Sequence, residues 1–208
     1  MKKINTFWNW FQDNNQTIKN LINETPKNQK HIAFWINKNL NYYCREIDFI
    51  IVFPKKENSK AEFIITANGN KNYFHELITL VDNAPLLNSW KFTAFIQPTT
   101  EIDKMMKGLD DPYIFQDITL KISELKFKPI LYDENIKKMD IMIFLKNYNL
   151  LCDTKTLKQA IYVILQELLG EERLHQKISL VQLAQMTNKE EDLIQLYELQ
   201  RYLDSFLK

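Results

Sequence analysis

Between Ile47 and Phe53 the apolar residues stop recurring at helical spacing and begin to alternate, and this change of period, made twice along the chain, most narrows the fold. In the first passage Ile47, Phe49, Ile51 and Phe53 alternate up to Pro54, and Phe63, Ile65 and Ala67 form a second run closed by Asn68-Gly69-Asn70. Tyr73, Phe74, Leu77, Ile78 and Val81 return to helical spacing, after which Trp90, Phe92, Ala94 and Ile96 alternate until Pro98. The second passage keeps this order. Ile118, Leu120, Ile122, Leu125 and Phe127 read as one long or bulged strand, and Met139, Ile141, Ile143 and Leu145 as its hairpin partner. A helix from about Asp153 or Thr154 carries Leu157, Ile161, Ile164, Leu165 and Leu168 to a terminating Gly170, and Ile178, Leu180 and Val181 mark a last strand.

Two helical stretches come first. Thr6 is placed to cap one that carries Phe7, Trp8, Trp10, Phe11, Ile18, Leu21 and Ile22; Thr25 and Pro26 open another with Ile32, Trp35, Ile36 and Leu40 on one stripe. Leu193, Leu196, Leu199, Leu203 and Phe206 close the chain at helical spacing. The pattern predicts an α+β protein: two N-terminal helices, two ββαβ units forming one largely antiparallel or mixed sheet, and a C-terminal helix. It reads as a single domain over 1–208, with a helical segment over 1–45, a first ββαβ unit over 46–98, a connection over 99–117, a second unit over 118–187 and the last helix in 188–208. The strands 47–53 and 139–145 are apolar on both faces, through Ile50 and Val52 and through Met142 and Phe144, which predicts cover on both sides.

Composition removes several functions. Only 3 glycines leave no glycine-rich phosphate loop, and 27 basic against 26 acidic residues, mixed along the chain, give no basic stripe for nucleic acid. No run approaches the roughly 20 apolar residues of a membrane span. Met1-Lys2-Lys3 leads into Asn5, Asn9, Gln12 and Asp13 rather than a signal-peptide core. Cys44 and Cys152 match no metal or redox spacing and read as reduced cytoplasmic thiols.

The candidate sites each carry two readings. Phe7, Trp8, Trp10 and Phe11 cannot all face one narrow stripe, so they serve either as anchors for a protein partner or as the packed side of a helix on the sheet. The connection holds Glu101, Asp103, Asp110, Asp111 and Asp117 with Met105 and Met106. It is either an acid/base or divalent-metal loop or a solvated linker with a short helix and docked methionines. His75-Glu76 begins like a zinc-protease helix, but the second ligand position is Thr79, and His31 and His175 have no partner at ligand spacing. Lys121, Lys126 and Lys128 form either a small basic face or a solvated, edge-protecting one. Cys44, after Tyr42 and Tyr43, reads as a small packed hydrophobe.

The stretch from Phe63 to Pro98 resembles a family of uncharacterised bacterial proteins, a domain of unknown function. Its marks are a Thr-Ala-x-Gly turn (Thr66, Ala67, Gly69), a helix with Phe74, an Ala84-Pro85 pair and a strand with Trp90 and Phe95 ending near Pro98. The resemblance implies structural roles and no activity: a positive φ at Gly69, a helix stop at Pro85, and rings of Trp90 and Phe95 on the two faces of the sheet. Taken together the residues predict a cytoplasmic, non-catalytic protein-interaction module of inhibitor or immunity type, without cofactor, nucleic acid or membrane. The alternative is a small hydrolase or metal-dependent enzyme using the acidic 101–117 loop. Self-association through an uncovered sheet edge is a third reading.

Overall fold

The computed structural model describes residues 2–54, 56, 59–148, 154–187 and 192–206. The chain is α+β and divides into two compact units, Met1–Ile96 and Gln97–Lys208.

In the first unit, α1 (Lys2–Lys19) and α2 (Pro26–Tyr43) precede β1 (Asp48–Val52), β2 (Ala61–Thr66), α3 (Phe74–Asp82) and β3 (Trp90–Ala94). Thr25 caps α2 as expected, its side chain accepting from Asn28 N at 3.4 Å with Pro26 in the first turn. Thr6 does not cap α1. The helix starts earlier, at Lys2, and the Thr6 hydroxyl donates back to the Lys2 carbonyl at 2.9 Å, the usual use of a threonine inside a helix. The sheet order is β1-β2-β3, with β2 antiparallel to β1 and parallel to β3, the parallel step being made by the α3 crossover. Asn68 and Gly69 turn the chain after β2 with φ of 50° and 77°.

One sheet face carries the core: Phe63 beside Phe49, Trp90 and Phe92, met by Phe7 and Phe11 of α1. Phe11 is fully enclosed, with ring centroids of Phe63, Trp90 and Phe92 5.0 to 5.2 Å away, and burying such a ring stabilises by about 2–3 kcal/mol. Cover on both faces of β1 does not follow. β1 is an edge strand, and Ile50 and Val52 on its second face stay 40% and 47% exposed. Trp90 and Phe95 are both buried in the same cluster, Phe95 turning at φ 66° just after β3 and packing on Phe74 with ring centroids 4.7 Å apart.

In the second unit α4 (Ile102–Met106) leads to a hairpin of β4 (Tyr113–Phe115) and β5 (Ile118–Leu120), then to β6 (Lys126–Asp133), β7 (Lys138–Leu145), α5 (Thr154–Leu169), α6 (Glu171–Lys177), β8 (Ile178–Gln185), β9 (Ile194–Gln195) and α7 (Leu199–Phe206). The expected single strand from Ile118 to Phe127 is broken. Ile122 and Leu125 are three residues apart, one turn of a 3-10 helix, and both are buried that way, leaving β5 to pair with β4 and β6 with β7. The larger sheet runs β8-β7-β6-β9. Leu157, Ile161, Ile164, Leu165 and Leu168 of α5 are buried in one cluster with Phe127, Ile141, Ile143 and Leu145, and Gly170 ends α5 at φ 78°. On the second face of β7, Phe144 is buried and Met142 half-buried.

Among the described residues the strands therefore form three sheets, not one. The reason lies in the path of each ββαβ passage. Its first two strands pair antiparallel, and its third returns through a crossover to lie parallel to the second: β1-β2-α3-β3 in one unit, β6-β7-α5-α6-β8 in the other. Each passage closes its own small mixed sheet.

Candidate functional site

The four aromatic residues of α1 divide between core and surface. Phe7, Trp8 and Phe11 are buried in their own unit's core, where Trp8 Nε1 also donates to the Leu80 carbonyl at 2.8 Å, so their surfaces are already covered by this chain. The partner reading narrows to Trp10, which is half-buried. With Asn14 and Thr17 it forms the stripe of α1 that faces His31, Ile32 and Trp35 of α2 across a cavity of about 390 Å3, which the core residue Ile18 also lines.

Trp35 is the fixed point of this groove. Its Nε1 donates to His31 Nε2 at 3.1 Å, and the Lys38 ammonium sits 4.4 Å from the indole centroid. Phe34 packs edge-on against it at 5.6 Å and is 57% exposed; Trp35 itself, which its place on the stripe with Ile36 and Leu40 suggested would be buried, is 38% exposed. Contacts on two sides restrict the indole's rotamers before anything binds. Further along, the Lys3 ammonium lies 5.5 Å from the exposed ring of Tyr42. Over residues 2–43 six lysines stand against Asp13 and Glu24, a local excess of positive charge invisible in the near-neutral total.

The acidic connection is built differently from a metal loop. Glu101 pairs with Lys104 at 2.8 Å, Asp110 is buried and accepts from Ser123 N at 3.1 Å, and Met105 is docked in the core while Met106 is exposed. Glu167 of α5 is the member with chemistry: burial first, then the charges of Glu101 and Asp110, hold its carboxyl above the ordinary range. Burial, followed by Glu167, likewise raises the Tyr113 phenol. Among the described residues no group of three or more His, Cys, Asp and Glu side chains is placed to hold a metal ion.

Cys44 is the C-cap of α2, half-buried against the core as a small hydrophobe, and is a free thiol; Cys152 lies outside the described residues. The three lysines do not share a strand. Lys126 and Lys128 lie on β6, whereas Lys121 precedes the 3-10 turn and donates to the Gly108 carbonyl at 2.6 Å.

No protein-family model, curated protein or solved structure matches the chain. Among the described residues no helix is long and apolar enough to cross a membrane.

Proposed function

We propose that this protein is a non-catalytic interaction module, of inhibitor or immunity type, that docks an acidic protein partner on the α1–α2 face. The observation that carries the reading is the preorganised, exposed Trp35 beside the Trp10 groove, since a rigid Trp at a partly apolar surface is the residue type that most often dominates an interface. The lysines of the helical hairpin supply the charge preference. A protein partner is favoured over nucleic acid because residues 2–43 contain no arginine, the side chain best suited to phosphate. The free thiol of Cys44 supports placing it in the cytoplasm.

The test places a photo-crosslinking residue at Phe34 of the full chain in its host and compares it with a Trp10→Ala/Trp35→Ala variant. The reading expects one acidic protein, crosslinked by the parent, lost from the variant, weakened by salt and unaffected by nuclease. Adducts that vanish on nuclease treatment, or that persist unchanged in the variant, overturn it.

A further inference from the structure

The second unit carries a sheet edge of an unusual kind. β8 is eight residues long, pairs only with β7 among the described residues, and its sequence ISLVQLAQ contains neither a charge nor a proline. Natural edges of that length are normally blunted by a charge, a proline, a bulge or a covering element. The chain supplies its own comparison. β3 occupies the same place in the first ββαβ path and is an edge as well, yet it carries Lys91, ion-paired with Glu62 of β2 at 2.8 Å. The charge present on one edge is missing from the other, whose one irregularity is the register shift between Ile178 and Val181, so that from Val181 to Gln185 the edge is regular and uncharged.

Beside β8 lies a cavity of about 300 Å3, within the range of ligand pockets, walled by Ile161 and Leu165 of α5, Leu174 of α6 and Val181 and Leu183 of β8. Positions 178–181 all line it. The register with β7 slips between the Met139–Ile178 and Ile141–Val181 pairs, so alternation is interrupted there: Ser179 and Leu180 are both exposed, and the cavity is lined by this exposed stretch as well as by Ile178, Val181 and Leu183. Lys158, exposed on α5, stands at the mouth and makes no ion pair among the described residues.

We propose that this groove takes an extended segment of a protein partner, added as a strand to the edge of β8, with an apolar side chain in the cavity and an acidic one at Lys158. The edge determines the occupant: a row of unpaired N–H and C=O groups is matched by another extended backbone, and a neighbouring helix that leaves an apolar gap supplies the side-chain pocket. The site belongs to the second unit and the α1–α2 face to the first, and the proposal does not depend on that face.

The probe is a set of capped, labelled peptides of the pattern Thr-Val-Φ-Val-Asp-Val-Thr, with Φ as Leu, Ile, Phe or Trp, together with copies N-methylated at alternate residues. Binding to the full chain is read by fluorescence anisotropy and by amide shifts over 178–185. A member of the set binds saturably and moves those amides; its N-methylated copy does not bind. Lys158→Glu, at an exposed position, weakens it roughly tenfold, and Leu180→Lys, which puts a charge on the edge, weakens it too. The proposal is overturned if no peptide moves the 178–185 amides, or if N-methylation leaves affinity unchanged. It is also overturned if sedimentation shows a wild-type dimer that Leu180→Lys dissociates, since the edge then belongs to a second copy.

Discussion

Trp8 Nε1 donates to the carbonyl oxygen of Leu80 at 2.8 Å, joining two residues 72 positions apart. Leu80 lies in the last turn of α3, where carbonyls have no partner within the helix, so the indole supplies the missing donor as well as apolar surface. Trp8→Phe should cost about 1–2 kcal/mol, the hydrogen bond with its orphaned carbonyl, and Trp8→Ala about 3–5 kcal/mol. Trp10→Ala, two residues away on the groove, should cost less than about 1 kcal/mol. Urea unfolding of the three variants checks the order; a Trp10 variant as unstable as Trp8→Ala would move Trp10 from the surface groove into the core.

Gly170 joins α5 to α6 at φ 78° and ψ 155°, a region that side chains avoid, and its carbonyl accepts from Leu174 N at 3.0 Å. Gly170→Ala is expected to lose about 1–3 kcal/mol, with m unchanged. A neutral substitution would mean that the junction can relax.

The residues that declared themselves in sequence are those whose local chemistry and packing agree. Thr25-Pro26, the Asn68-Gly69 turn, the alternation in β2 and β3 and the α5 stripe ending at Gly170 all stand where periodicity put them. What escaped depends on contacts distant in sequence or on pieces too short to have a period. β9 spans two residues, and α6 has a single buried apolar residue, Leu174, in seven. Ile122 and Leu125 mimic a bulged strand until their three-residue separation is read as a turn. In α1 the core stripe is the recurrence 4, 7, 11, 18, with Trp8 on its flank, while Trp10, Asn14 and Thr17 form the neighbouring stripe; only the position of α2 decides which is open. The exposure of Trp35 had one sequence signal, His31 and Lys38 one turn away on either side, and that signal has meaning only once they are seen holding the indole.

The two threonines separate capping from mere helix residence. Thr25→Ala removes a side-chain acceptor from the α2 N-terminus and should cost about 1 kcal/mol. Thr6→Ala replaces a back-bonded hydroxyl inside α1 by the best helix former and should be neutral or stabilising by a few tenths to about 0.5 kcal/mol. Equal losses at both positions would restore Thr6 as a cap.

Glu167 gives the molecule a pH dependence of defined sign. Burial, then the charges of Glu101 and Asp110, raise its carboxyl above the value it has in the unfolded chain, so between those two values the folded state holds the proton more tightly. Stability then falls as pH rises through that window and the loss is complete above it; below the ordinary carboxylate range both states are protonated and the effect disappears. Glu167→Gln keeps the shape and the backbone carbonyl that accepts from Thr99 N at 2.7 Å, but removes the charge. The variant should be more stable than wild type at neutral pH, by about 0.5 kcal/mol given that the side chain is half-exposed and screened, and the two denaturation midpoints should converge on acidification. Taking the difference between variant and wild type cancels the titrating groups that do not interact with Glu167. A variant less stable than wild type at neutral pH would show that the ionised carboxylate has a favourable partner and would reverse the assignment of Glu167 as the strained member of the acidic cluster.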